Sequence, residues 1–197
     1  MSSLQSIDTV PGLFYIDNLI SPEYSQQLFH YLDNEAKWSP ITDNPNSRVV
    51  QHYGYKYNYK SHHHKEMGNP IPDIFSELIQ SLQQKSQELQ LINSSYSFNQ
   101  VIVNNYEPSQ GISKHTDIKS YGAVIGCYTI GSGATMRFRK NNEIVDIYVK
   151  PNSLYIMSGD ARYLWTHEMP STKTDMYDGK RVVRSRRVSI TFRNVEE

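Results

Sequence analysis

Hydrophobic residues recur at helical spacing in two stretches of the first half of the chain. In the first stretch, Ser21 followed by Pro22 has the composition of a helix start, because serine caps free backbone N–H groups and proline fits the first helical position. The residues that then share one helical face are Tyr24, Leu28, Tyr31 and Leu32. The second stretch has the same spacing and predicts a helix over 71–89.

The remaining pattern is typical of strands. Residues 48–60 alternate with period two and predict a strand between the two helices, with tyrosines on one face. In the second half, short apolar runs are separated by breaks rich in proline, glycine and asparagine. These runs are 98–106, 123–130, 135–139, 144–149, 154–157, 163–167 and 183–192. Seven short strands at this spacing predict a sandwich or barrel with helices packed outside it.

The composition indicates one globular domain over residues 1–197, because no linker or repeat divides the chain and 12% of its residues are aromatic. No run approaches the roughly eighteen apolar residues of a membrane span, and the polar N-terminus does not resemble a secretory signal. Cys127 is the only cysteine, which excludes an internal disulfide and a zinc finger. We therefore expect an intracellular protein, cytoplasmic or nuclear, without a membrane partner.

The zero net charge conceals an asymmetry. Residues 1–98 carry six basic and ten acidic side chains, whereas the second half carries fourteen basic and ten acidic ones. Arg137, Arg139, Lys140 and the run 180–187 could line a path for a polyanion, and solvated loops are the alternative.

The triplet His115-Thr116-Asp117 is a candidate metal site. Residues two apart on an extended segment point to the same side, so His115 and Asp117 could hold one ion together. An imidazole and a carboxylate are two ligands of the two-His-one-carboxylate arrangement, which leaves positions open on Fe(II). His167 is the candidate third ligand. The alternatives are a chance match for the triplet and a core histidine for His167.

The C-terminal strand, 187–193, places its apolar residues on one face and its polar residues on the other. Arg187 and Arg193 lie six positions apart and therefore on the same face. Each guanidinium is a fork suited to a carboxylate, so the pair could bind the two ends of a dicarboxylate. The alternative is a solvated polar face on an edge strand.

The order of these motifs along the chain is His115-x-Asp117, then His167, then Arg187 and Arg193. This order resembles that of the AlkB family of Fe(II)- and 2-oxoglutarate-dependent dioxygenases. Asn104-Asn105-Tyr106 resembles the Asn-x-Tyr with which that family holds 2-oxoglutarate. Segments 48–57, 106–112 and 158–167 are most similar to the branch that includes the AlkB-like domain of the tRNA wobble-uridine hydroxylase. The similarity covers about residues 10–195.

The resemblance implies an α+β, mainly β, fold: a double-stranded β-helix (jelly roll) with flanking N-terminal helices. Helices and a segment similar to a nucleotide-recognition lid would occupy about 10–95, and the catalytic core about 96–195. The implied Fe(II) ligands are His115, Asp117 and His167. The residues implied in 2-oxoglutarate binding are Arg187, Tyr106 and Ser189 at the distal carboxylate, and Arg193 and Asn104 near the carboxylate beside the iron.

The implied reaction consumes 2-oxoglutarate and O2 and hydroxylates a substrate C–H bond. Hydroxylation of an N-methyl group leads to demethylation, and hydroxylation of another base substituent leaves a stable alcohol. The resemblance implies a nucleic-acid partner, with RNA or tRNA slightly ahead of alkylated, single-stranded DNA. The alternatives are a protein-directed hydroxylase or demethylase, and a nucleic-acid-binding jelly roll that performs no oxidation.

Three residues are candidates for substrate contact. Tyr55 and Tyr57 could stack on bases or contact a phosphate, and the alternative is a tyrosine face that covers the core. Lys119 stands two residues beyond Asp117, where family members that repair methylated bases tend to carry an acid. Its ammonium group would repel a positively charged methylated base, which argues against direct alkylation repair.

Overall fold

The computed structural model describes residues 4–44, 46–56 and 66–195, and most of its strands lie in one large antiparallel sheet. The nine strands of this sheet are β1 (Leu4–Ser6), β2 (Leu13–Ile16), β3 (Ser39–Pro40), β4 (Val49–Lys56), β5 (Glu66–Met67), β6 (Gln100–Tyr106), β8 (Ile125–Gly131), β11 (Ser153–Met157) and β15 (Arg187–Arg193). Their order is β1-β2-β11-β8-β15-β6-β4-β3, and β5 pairs with β4.

A second, four-stranded antiparallel sheet faces the first. Its strands are β7 (Ile112–His115), β9 (Ala134–Lys140), β10 (Glu143–Val149) and β12 (Thr166–Met169), in the order β10-β9-β12-β7. The strands β13 (Thr174–Tyr177) and β14 (Lys180–Val183) form a separate hairpin.

The part of the chain that the structure describes has three α-helices: α1 (Pro22–Asn34), α2 (Ser76–Glu88), which follows a 3-10 turn over Asp73–Phe75, and α3 (Gly159–Tyr163). The predicted start of α1 is confirmed, because the backbone N–H of Tyr24 donates to the Ser21 hydroxyl at 3.1 Å. In the described ranges, no helix has the length and hydrophobicity needed to cross a bilayer.

The large sheet separates two hydrophobic cores. On one face it packs against α1 and α2, where Leu28, Leu32 and Leu82 are fully buried. On the other face it packs against the smaller sheet, with Phe138 and Trp165 in the interior. Alternation along β15 therefore sends its apolar side chains toward the helices and its polar side chains between the sheets. Those polar residues are Arg187, Ser189, Thr191 and Arg193, and all four are buried.

Most of the predicted elements are confirmed, with shifts of a few residues at their ends. The predicted strand 163–167 is wrong, because Gly159–Tyr163 forms α3 and the strand begins only at Thr166. The spacing of the buried residues Ala161, Arg162 and Trp165 is that of a helical turn. Of the predicted strand 183–192, residues 187–192 belong to β15, whereas Val183 ends β14 and residues 184–186 are not in a strand. The first half also contains β1 and β2, which the sequence pattern did not predict.

Candidate metal centre

His115, Asp117 and His167 meet between the two sheets. Each offers one ligand atom, and these three atoms lie within 4.8 Å of one another. His115 ends β7 and stands directly opposite His167 on β12, with 4.3 Å between the ring centroids. Asp117 follows two residues after the end of β7 and is buried. The structure thus brings together the three predicted ligands.

Hydrogen bonds leave the ligand atoms available. Nδ1 of His115 lies 2.8 Å from the carbonyl oxygen of Ser113, an arrangement in which Nδ1–H donates and Nε2 keeps its lone pair. Oδ2 of Asp117 is buried, has no hydrogen-bond partner among the described residues, and lies 3.5 Å from Nε2 of His167. An unsatisfied carboxylate oxygen beside two imidazoles fits a bound divalent cation.

The electrostatics of the site favour the protonation states that bind metal. Burial alone would raise the pKa of Asp117, but the positive charge of Arg193 holds that pKa well below its usual range. Burial lowers the pKa of His167 to about 3, and His115 contributes to the same shift. The site therefore presents an ionised carboxylate and a neutral His167 at neutral pH.

Arg162 fixes the segment that carries Asp117, and the sequence analysis did not identify it. Its side chain is fully buried, and its Nη1 donates to the carbonyl oxygen of Asp117 at 3.0 Å. Its Nη2 donates to the carbonyl oxygens of Ile118 and of Tyr121. Because Arg162 lies five residues before His167, one side chain connects two ligand-bearing segments. The only signal in the sequence was a charged residue inside an apolar run.

An inner cavity extends from the triad into the space between the sheets. Arg187 lines it, and its Nη2 donates to the Thr129 hydroxyl at 2.9 Å. The buried Nε of Arg187 has no hydrogen-bond partner, and no carboxylate pairs with this arginine among the described residues. Its Cζ lies 5.5 Å from the centre of the Tyr106 ring. A buried guanidinium without a counter-ion fits a ligand that carries a carboxylate.

All five residues that the sequence predicts for co-substrate binding line this inner cavity, together with the three candidate ligands. The five are Asn104, Tyr106, Arg187, Ser189 and Arg193. Cys127, Tyr155 and Thr191 also line it and were not among the predicted residues.

An outer cavity of about 490 Å³ lies beside His115 and Asp117. Its walls combine apolar residues with Arg48 and Lys114. The residues that line both cavities are Asn104, Ile112, His115, Asp117 and Arg193. Two of the candidate metal ligands, His115 and Asp117, therefore line both cavities, whereas His167 and Arg187 line only the inner one.

The candidate substrate residues are placed differently. Tyr55 is half-buried and Lys119 is exposed, and neither lines the inner or the outer cavity. Tyr57 lies outside the described residues.

The basic residues considered for a polyanion path are largely neutralised. Arg137 pairs with Asp146 at 2.7 Å, and Arg139 pairs with Glu168 at 2.9 Å. Lys140 likewise pairs with an acid, Asp160.

Two histidines and a carboxylate between the sheets of a jelly roll, beside a cavity with a buried arginine, define a non-haem iron oxygenase with a carboxylate co-substrate. The family model described as the 2OG-Fe(II) oxygenase superfamily matches residues 12–193. The chain belongs to this superfamily and is a dioxygenase that uses Fe(II) and 2-oxoglutarate.

Within the superfamily the chain is AlkB-like and close to ALKBH8. It is 35% identical to uncharacterized protein L905 of Acanthamoeba polyphaga mimivirus, over 93% of this chain and 85% of that protein. It is 31% identical to the tRNA (carboxymethyluridine(34)-5-O)-methyltransferase alkbh8 of Xenopus tropicalis, over 94% of this chain but 32% of that protein. The chain thus spans about a third of the Xenopus protein.

The structure of OsALKBH1 superimposes with a TM-score of 0.72 at 17% sequence identity, and the match covers 98% of this chain and 100% of that one. This likeness confirms the predicted AlkB-like jelly-roll fold.

Proposed function

We propose that the protein hydroxylates or oxidatively demethylates a base substituent in nucleic acid, with RNA or tRNA ahead of alkylated DNA. His115, Asp117 and His167 would hold Fe(II). The observation that carries the proposal is the position of this triad in an inner cavity whose buried Arg187 has no acid partner among the described residues, next to an outer cavity with basic and apolar walls.

The inner cavity would hold 2-oxoglutarate. Arg187 supplies a guanidinium for the distal carboxylate, and Tyr106 and Ser189 line the same end. Asn104 and Arg193 line both cavities and would lie near the carboxylate beside the metal. The co-substrate would thus be oriented within the inner cavity, and the outer cavity would stay open.

When bound, Fe(II) and 2-oxoglutarate with O2 supply an oxidant for a C–H bond, and succinate and carbon dioxide are released. The chain itself contributes orientation. Arg193 fixes the carboxylate of Asp117, and Arg162 fixes the backbone that follows it. Phe138, Met136 and Trp165 fill the interior behind the site and exclude water from it.

Two observations support a nucleic-acid substrate. The Xenopus alkbh8 relative is named for action on carboxymethyluridine 34 of tRNA, and this chain aligns over 94% of its own length with that protein. The outer cavity places Arg48 and Lys114 beside Ile102, Ile118 and Tyr121. Cations beside apolar surface suit a base attached to a phosphate backbone.

The test is succinate formation by the purified protein with Fe(II), 2-oxoglutarate and ascorbate. Reactions with no addition, with bulk tRNA and with methylated single-stranded DNA should show stimulation by tRNA. Asp117→Ala should abolish turnover, and Asp117→Asn, which keeps an acceptor for Arg193, should do so with less effect on folding. Succinate formation that persists in both variants would contradict the proposal. Turnover that depends on Asp117 but responds to neither nucleic acid would favour a protein substrate.

A further inference from the structure

Arg48 is a cation of the outer cavity whose charge is not neutralised by any described residue. Its half-buried side chain donates from Nε to Oδ1 of Asn104 at 2.9 Å, and its Cζ lies 5.9 Å from the centre of the Tyr106 ring. Within the described ranges it forms no ion pair and no other hydrogen bond. The Nη1 and Nη2 donors of the guanidinium therefore remain for a ligand.

The surroundings of Arg48 favour an anion. Lys114 lines the same cavity and likewise has no acid partner among the described residues. The one acid in the described lining is Asp117, which Arg193 pairs at 2.7 Å. The cavity therefore carries excess positive charge beside the candidate metal site, and an anionic group is attracted to it.

The hydrogen bond to Asn104 has a second consequence. Because Oδ1 of Asn104 accepts from Arg48, the Nδ2 group of Asn104 remains free to donate to a carboxylate. Asn104 also lines the inner cavity, in which the co-substrate would bind. Arg48 thus connects the outer cavity with the predicted 2-oxoglutarate site through the side chain of Asn104.

We infer that Arg48 binds a backbone phosphate of the nucleotide that carries the target base, while its Nε keeps the amide of Asn104 oriented toward 2-oxoglutarate. The inference rests on the proposed function. A guanidinium can perform both tasks because its donors lie in a fixed plane and point in different directions. A lysine at this position would keep the charge and lose the oriented bond to Asn104.

The experiment compares Arg48→Gln and Arg48→Lys with Lys173→Gln, which removes one positive charge from an exposed position just before β13. Binding of a fluorescently labelled single-stranded RNA oligonucleotide to protein loaded with Mn(II) and 2-oxoglutarate is measured over a series of salt concentrations. The KM for 2-oxoglutarate is measured in parallel from succinate formation without RNA.

Arg48→Gln should weaken RNA binding about tenfold and reduce the slope of log K against log salt by about 0.7, the value expected for loss of one phosphate contact. Arg48→Lys should restore the salt slope, yet both substitutions should raise the KM for 2-oxoglutarate several-fold. If Arg48→Gln has the RNA affinity and salt slope of Lys173→Gln, the phosphate contact is overturned, and absence of RNA binding by the wild-type protein would overturn it as well. An unchanged KM in both variants would overturn the role of Arg48 in orienting Asn104. The proposed function fails on different results, namely succinate formation that does not require Asp117 or that neither nucleic acid stimulates.

Discussion

Arg193 holds one carboxylate oxygen of Asp117 and leaves the other free. Its Nε donates to Oδ1 at 2.9 Å and its Nη2 lies 2.7 Å from the same atom, whereas Oδ2 lies 3.5 Å from Nε2 of His167. The arginine therefore sets the orientation of the carboxylate and keeps it ionised without occupying the oxygen that faces the imidazoles. Oδ1 of Asp117 thus has a structural role and Oδ2 remains as the candidate ligand atom. A substitution of Arg193 should therefore change metal binding measurably.

Replacement of Arg193 by methionine should weaken metal binding and destabilise the fold. The buried carboxylate of Asp117 would lose its counter-ion, which costs about 3–5 kcal/mol for a buried pair. Affinity for Mn(II) should fall about 10- to 100-fold, since the ligand would lose its orienting partner. Isothermal titration with Mn(II) and urea unfolding of the metal-free protein measure the two effects. Wild-type Mn(II) affinity in the folded variant would contradict the role assigned to Arg193.

Arg187→Met should weaken binding of the co-substrate without lowering the stability of the fold. The buried guanidinium has no acid partner among the described residues, so its removal should leave the metal-free, ligand-free protein as stable as wild type or more stable. The KM for 2-oxoglutarate should rise about 10- to 100-fold, because one carboxylate would lose a charge-assisted partner. Thermal unfolding of the metal-free protein measures the stability, and succinate formation measures the KM. Thermal unfolding at saturating Mn(II), with and without 2-oxoglutarate, measures binding of the co-substrate. If 2-oxoglutarate still raises the Tm as in wild type, Arg187 does not bind its carboxylate.

Gly126 and Leu82 should be energetically coupled at the contact between α2 and the large sheet. A Cβ atom added at Gly126 would lie 2.4 Å from Cδ1 of Leu82, so Gly126→Ala should cost about 1–3 kcal/mol of stability. Leu82→Ala alone should cost about 2–5 kcal/mol through the cavity that it creates.

The double variant tests whether the contact is real. In Gly126→Ala/Leu82→Ala the new methyl group enters the vacated space, so the combined loss should be smaller than the sum by about 0.5–3 kcal/mol. Urea unfolding of the four proteins measures this coupling. Strictly additive losses would mean that the helix and the strand do not approach as closely as the structure shows.

The sequence predicts those features that local chemistry determines. The start of α1 follows from Ser21 and Pro22, whose hydrogen bonding and backbone geometry act within one turn. The alternation of β15 places Arg187 and Arg193 on one face, and neighbouring strands then bring both into the inner cavity. Features without a local pattern were not predicted. In Leu13–Ile16, apolar and polar residues do not alternate, because residues on both faces of β2 are buried between neighbouring layers.

The outer cavity shows why the remainder of the site needs a structure. Arg48 precedes β4 and Asn104 lies on β6, so their contact depends on the pairing of strands more than fifty residues apart. Likewise, Arg162 binds the carbonyl oxygens after Asp117 only because α3 folds against that loop. Backbone carbonyl groups are present at every residue, so no sequence motif marks them as ligands for an arginine.

Arg162→Lys should weaken metal binding because Asp117 loses its position, since the substitution keeps the positive charge at residue 162. Lysine keeps the positive charge but cannot reach three carbonyl oxygens in the planar arrangement that the guanidinium uses. The segment from Asp117 to Tyr121 would lose its anchor, and the Mn(II) affinity should fall about tenfold. Each carbonyl left buried without a partner should also cost about 1–3 kcal/mol of stability.

Arg184→Lys is the matched control for this loss of stability. Arg184 is also a buried arginine with three partner atoms, the two carboxylate oxygens of Asp175 at 2.5 and 2.7 Å and the carbonyl oxygen of Pro170 at 2.8 Å. It lines neither the inner nor the outer cavity, so its substitution should lower the Tm and leave the Mn(II) affinity unchanged. Titrations run well below both melting temperatures compare folded proteins. Because both variants lose buried hydrogen bonds, equal Mn(II) affinities would show that Arg162 stabilises the fold without positioning Asp117.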